Sequence, residues 1–262
     1  MNNLMVLIKK EYTQMFRDYK VFWLPIIFIL LGATQPLVTY YLPSILEALG
    51  GSQGITIDSS MTAQSGGEVL TTTLGSQFDQ LGLMILSISL MGIIQADKAN
   101  GMLSFILTRP VTVPSYVVGK LVSNYFLSAL SVTIGYFVSY LYVNVLFTPI
   151  PFSSMFTGLL FYLLWVLFIV SFTTMISTVF HSQGIIALIS IVVLLGCRII
   201  VGLSPIIDRV NPASMSKLAM ETLATGLVNT NAIINILLTL VLVLFTFFIT
   251  NYWITKKKFH HG

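Results

Sequence analysis

Charge is scarce in this chain. Asp, Glu, Lys and Arg together make up 8% of its 262 residues, where a soluble domain carries roughly a quarter. Hydrophobic residues make up 56% and the mean hydropathy is +0.91, which excludes a water-soluble globule and leaves an integral membrane protein. The lone cysteine, Cys197, stands in an apolar run, so neither an intramolecular disulfide nor a cysteine cluster for a metal can be built. No GxxxxGK[ST] phosphate loop occurs, because Gly119-Lys120 is followed by Leu121 and lacks the upstream glycine; ATP is not bound by that route. HExxH is absent, and no acid pair falls inside an apolar run, so no catalytic residue, metal ligand or proton relay is assigned. Energy for any active transport has to come from another chain.

What is present is length of apolar sequence. A helix satisfies its own backbone hydrogen bonds in lipid and needs about 20 apolar residues to cross. Six windows qualify, over residues 22–42, 81–96, 121–147, 155–180, 184–203 and 232–254. The second is the shortest and draws on residues 78–80 to reach full span, and the fifth is interrupted by Arg198. The expected fold is therefore all-α: a polytopic membrane protein with six transmembrane helices in a single transmembrane domain over residues 1–262.

Basic residues give the orientation, because cytoplasmic loops near the membrane hold the excess of Lys and Arg. With six spans, Lys9, Lys10, Arg17, Lys20, Lys98, Arg109, Lys120 and Lys256, Lys257 and Lys258 fall on one side. Arg198, Arg209 and Lys217 fall on the other side or in the membrane, together with Glu47, Asp58, Glu68, Asp79, Asp208 and Glu221. Both termini are expected in the cytoplasm. The net charge of +4 and pI near 9.1 then reflect topology and point to no nucleic-acid partner.

Residues 1–20 place Leu4, Leu7, Ile8, Met15 and Phe16 on one helical side, with Tyr12 between them, as in an amphipathic elbow helix lying in the headgroup layer. The first span is too long for a signal-peptide core and reads as retained. Residues 43–77, rich in Ser, Thr, Gly and Gln, read as the one sizeable extracytoplasmic loop. Ser131, Gly135 and Ser139 recur at four-residue spacing and let helices pack closely. His181, in a tight turn, has no second ligand nearby in sequence and reads as structural. Residues 203–231, broken by Pro205 and Pro212, read as a re-entrant or interfacial outer hairpin before the last span. Arg198 is a possible intramembrane polar site; snorkelling, or pairing with Asp208 or Glu221, ranks above a substrate role.

Residues 97–114 stand apart from an ordinary basic loop. Residues 101–108 can form a short amphipathic helix, stopped near Arg109 because Pro110 disfavours helical backbone before it. Thr112 can cap the next helix with Pro114 in its first turn. The sequence "DKANGMLSFILTRPVTVPSYVVGKL" resembles the segment of ABC-2 type transporter permeases in which an acid and a base precede a Gly-(Thr/Ser)-Leu start, an apolar run, a Pro-Val turn and a Gly-Lys. Asp97, Gly101, Leu103, Pro110, Val111, Gly119 and Lys120 match it, while Met102 replaces the usual small hydroxyl residue and Asp97 the commoner Glu.

The resemblance implies the membrane subunit of an ABC exporter in the plasma membrane of a bacterium. It would pair with a second permease copy or paralogue and dock on two cytoplasmic ABC ATPase subunits. This chain would bind no cofactor; ATP and Mg would belong to the ATPases. By the same resemblance Asp97, Lys98, Asn100, Gly101, Met102, Leu103, Arg109, Pro110 and Lys120 form the ATPase-coupling interface. The competing reading is a non-transporting membrane assembly factor or sensor of the same layout; an intramembrane enzyme lacks a catalytic constellation.

Overall fold

The computed structural model describes residues 3–50, 64–103, 112–229 and 232–256, with the backbone alone for residues 3 and 46–50. Among the described residues there is helix and no strand. In chain order the helices are α1 (Asn3–Arg17), α2 (Lys20–Gly50), α3 (Gly66–Thr72), α4 (Leu83–Leu90), α5 (Gln95–Ala99), α6 (Val113–Leu146), α7 (Phe152–Val179), α8 (Gln183–Ile199), α9 (Pro205–Val210), α10 (Ser214–Thr225) and α11 (Ala232–Lys256). A π-helical stretch, Thr73–Gly82, joins α3 to α4.

Among the described residues five segments are long and apolar enough to cross a membrane: Lys20–Ile45, Gly66–Ala99, Val113–Leu146, Phe152–Val179 and Ala232–Lys256. The fifth window of the sequence forms a shorter apolar helix, α8, of 17 residues, about 25 Å at 1.5 Å per residue. The arrangement is that of a polytopic membrane protein. α7 is its centre, with 67% of its apolar window buried inside the protein, against 22% for α2 and for α11. On α11 the usual pattern of a soluble helix is inverted. Thr239, Thr246 and Thr250 face inward while Leu237, Val241, Phe245 and Phe248 are exposed, and the Ser171 and Thr246 hydroxyls meet at 2.6 Å against α7. Lipid tails are as apolar as the core, so packing and hydrogen bonds hold such helices together.

α2 and α6 form the closest pair. A Cβ on Gly32 would stand 2.0 Å from the Gly135 carbonyl oxygen, and one on Gly135 would stand 2.3 Å from the Phe28 carbonyl oxygen. Backbone therefore lies against backbone at this crossing, and the small-residue spacing around Gly135 serves packing within the chain.

The expected loop over residues 43–77 is shorter than the sequence reading gave. α2 runs on through Pro25, Pro36 and Pro43 to Gly50, and α3 begins at Gly66. Ser65 accepts from the Glu68 amide while Glu68 accepts from the Ser65 amide, a reciprocal cap that starts the helix. Polar side chains that looked like loop residues fold back on their own helix: Thr72 donates to the Glu68 carbonyl, Thr73 to Val69 and Ser76 to Thr72. The second span is thereby lengthened to Gly66–Ala99, and Asp79 lies inside it.

The stretch expected as an outer hairpin holds two short helices, α9 and α10, at the end of the bundle away from α1. Ser204 caps α9, with Pro205 in its first turn. α10 packs against α7 and α3 and buries Met215, Leu218, Ala219 and Leu223.

Candidate functional site

The elements at the α1 end of the bundle converge on one group of charges. α1 turns Leu4, Leu7, Ile8, Glu11 and Met15 toward the bundle, with Glu11 and Met15 buried and Phe16 exposed. Lys120, about two turns into α6, is likewise buried. Its ammonium lies 2.8 Å from Asp97 Oδ2 and 3.0 Å from Glu11 Oε1. The Tyr116 hydroxyl donates to Asp97 Oδ2 at 2.8 Å, and Lys10 Nζ stands 3.8 Å from Asp97 Oδ1. One turn along α6, the Asn124 amide donates to the Lys120 carbonyl while its oxygen accepts from Lys20 Nζ. Isolated charges are costly to bury, and paired, hydrogen-bonded ones are tolerated. The group joins α1, α5 and α6 into one clamp.

A second set of bonds fastens α5 to the end of α7. The second span breaks at residues 91–94, between α4 and α5. Ser177 Oγ accepts from the Ile94 and Gln95 amides and donates to the Met91 carbonyl. This satisfies backbone that a break in a spanning helix would otherwise leave bare. Gln95 Nε2 donates to the His181 carbonyl, and Lys98 Nζ donates to the carbonyls of Thr178 and Phe180, a cation on the negative end of α7. His181 thus contributes its backbone. α5 ends at Asn100 and Gly101, whose φ of +67° is the left-handed region that favours glycine after a helix.

The residues grouped by sequence as one coupling interface are therefore placed differently. Asp97, Lys120 and Leu103 are inside the protein, Lys98 is half-buried against α7, and Asn100, Gly101 and Met102 are exposed. Arg109 and Pro110, with most of the expected coupling helix, lie outside the described residues. Thr112 does cap α6, accepting from the Ser115 amide, with Pro114 in the first turn. Glu11 was not singled out by sequence, because the elbow reading sorted only apolar residues onto the inward face. Its four-residue spacing from Leu7 and Met15 is the signal that places it there.

Arg198 pairs with neither Asp208 nor Glu221. Its Nε donates to Asp79 Oδ2, on the π-helical stretch, and Ser216 of α10 donates to the same oxygen. The π-helical turn presents Asp79 to α8 and α10 at once, whereas Asp208 is held by Lys217 at 2.8 Å. Burial raises the pKa of Asp208, but the Gly202 amide and the Lys217 ammonium outweigh it and hold the carboxyl below its ordinary value. Among the described residues no three His, Cys, Asp or Glu side chains are grouped to hold a metal ion.

This is a polytopic helical membrane protein: several spans, internally neutralised charges, and a clamped short helix at the mouth of one inter-span connection. The chain belongs to the ABC-2 family of transporter proteins, whose family model matches residues 5–258. It is 36% identical over 226 residues to an uncharacterized transmembrane protein, YxlG, of Bacillus subtilis (strain 168), covering 86% of this chain and 87% of that one. Members are membrane components of ABC transporters, associate in general with ABC ATPase subunits, and are not themselves catalytic.

Proposed function

We propose that this chain is the permease subunit of an ABC exporter in the bacterial plasma membrane, with both termini in the cytoplasm. It works beside a second permease copy or paralogue and above two cytoplasmic ATPase subunits, which bind ATP and Mg. The stretch around residues 97–114 carries the contact with the ATPase, with the exposed Asn100, Gly101 and Met102 on the partner's side and Arg109 and Pro110 assigned to the same contact. Asp97, Lys98 and Lys120 act behind that surface. The observation that supports this reading is the double fastening of α5. Through Asp97 it is tied to α1 and α6, and through Gln95, Lys98 and Ser177 to α7. A push received just beyond Gly101 is delivered to three helices together, and ATP acts through its different affinity for the states they exchange.

The test is co-purification from native membranes. A Walker-type ATPase should accompany the chain, and its ATP turnover should rise when the two are reconstituted. Arg109→Glu and Gly101→Pro should abolish that rise while the chain still folds; unchanged assembly and turnover would sink the coupling role. An ATPase partner with no substrate movement in vesicles would favour the sensor or assembly-factor reading.

A further inference from the structure

The end of the molecule away from the α1 clamp holds a cavity of about 200 Å³ between α9, α10 and α11, lined by Asp208, Arg209, Lys217, Glu221, Asn229 and Asn235 among others. Its formal charges cancel, two cations against two carboxylates. They are not all spent on one another. Lys217 is committed to Asp208 at 2.8 Å and stands 3.9 Å from Glu221. No ion pair among the described residues engages Arg209. Asn235 is 7% exposed and its Oδ1 has no hydrogen-bond partner, which is costly for a buried acceptor. The cavity thus offers an uncommitted guanidinium together with a carboxylate and an amide oxygen that can accept from a ligand.

Exposed aliphatic side chains stand close in sequence to the lining residues: Leu203 and Ile206 beside Pro205, and Leu227 and Ile233 beside Asn229 and Asn235, are 69–75% exposed. Large exposed aliphatic side chains next to a charged hollow suit acyl chains better than water. The volume lies below the roughly 300 Å³ at which pockets for drug-sized ligands begin, so the polar part admits something of headgroup size.

We infer that this cavity binds a zwitterionic phosphate headgroup bearing a primary ammonium, as in phosphatidylethanolamine. The phosphate goes to Arg209, because guanidinium pairs with phosphate in a fork. The ammonium, with three donors and no acceptor, goes to Glu221 and Asn235 Oδ1, and the acyl chains lie on the neighbouring exposed aliphatic side chains. A quaternary choline lacks the N–H donors, and a glycerol headgroup lacks the cation. The site is separate from the coupling region, and its test reads binding rather than transport.

The purified full chain, with any ATPase that accompanies it, is titrated in detergent with phosphatidylethanolamine, phosphatidylcholine and phosphatidylglycerol, and retained lipid is read by native mass spectrometry. Phosphatidylethanolamine should be held roughly tenfold better than either other lipid. Arg209→Gln should weaken retention of all three, and Glu221→Gln should remove the preference over phosphatidylcholine; both side chains are at the surface, and unchanged elution checks folding. Equal retention of the three lipids, or a preference that survives in Glu221→Gln combined with Asn235→Ala, overturns the assignment. Soluble glycerophosphoethanolamine should compete poorly; competition as strong as the lipid's overturns the lipid source.

Discussion

Asp97 and Lys120 meet at 2.8 Å inside the protein, binding the short helix that ends the second span to the first turns of the third. Glu11 reaches the same ammonium from α1 at 3.0 Å, so one lysine holds three helices. Removing one partner of a buried pair leaves an uncompensated charge and costs about 3–5 kcal/mol. Lys120→Met should lower the thermal unfolding midpoint in detergent accordingly. Adding Glu11→Gln and Asp97→Asn should recover most of the loss; a triple variant no more stable than Lys120→Met would show that charge pairing is not what the clamp supplies.

The Arg198 and Asp79 pair predicts a similar rescue at the other end. Arg198→Leu leaves Asp79, which has no solvent exposure, without its cationic partner, the Ser216 hydroxyl still donating to Oδ2. Folded yield and melting temperature should fall, and Asp79→Asn in the same chain should restore both. If Arg198→Leu alone melts like the parent yet stops transport, Arg198 belongs to the substrate path and not to the fold.

Gly135→Ala should prevent α2 and α6 from closing, because the new methyl would stand 2.3 Å from the Phe28 carbonyl oxygen. Overpacking of this kind costs about 1–3 kcal/mol or more where backbone must move. Gly196→Ala, where a Cβ meets nothing within 4 Å, is the matched control. Monodispersity on size exclusion should be lost in the first variant and kept in the second.

Asp208 gives a pH dependence with a definite sign. Its folded-state pKa is lowered, burial being outweighed by the Gly202 amide and Lys217. Its contribution to stability is therefore fully present above the unfolded value of about 3.9 and is lost as pH falls through the folded value. Arg209 and Glu221 share the neighbouring cavity. The gap in melting temperature between the parent and Asp208→Asn should be widest near neutral pH and close in strong acid. A gap that widened on acidification would contradict the assignment.

Much of the fold was legible because apolar length and helix caps are local properties. Thr112 with Pro114 marked the start of α6 correctly, and the breaks at Pro205 and Pro212 fall at the two short helices α9 and α10. Residues 64–77 were misread because their polarity was taken for solvent exposure. The Ser65 to Glu68 spacing of a capping box was the contrary signal, and the hydroxyls there bond to carbonyls one turn back. Asp79 was placed outside the membrane by composition, although extending the second span over residues 78–80 already carried it inside. Which acid met Arg198, and which residues of the 97–120 stretch were buried, depended on how helices distant in sequence packed; spacing within one segment carries no such information.

The crossing of α2 and α6 at Gly32 and Gly135 also bears on movement. Two rods in bare backbone contact near the middle of one of them can tilt about that point, but they cannot slide without driving a carbonyl into a neighbouring chain. The contact is then a fulcrum. Under the coupling proposed above, displacement entering α6 beside Lys120 would emerge beyond Gly135 with its direction reversed, at the end where the Thr148 hydroxyl, just past α6, accepts from the Gly66 amide.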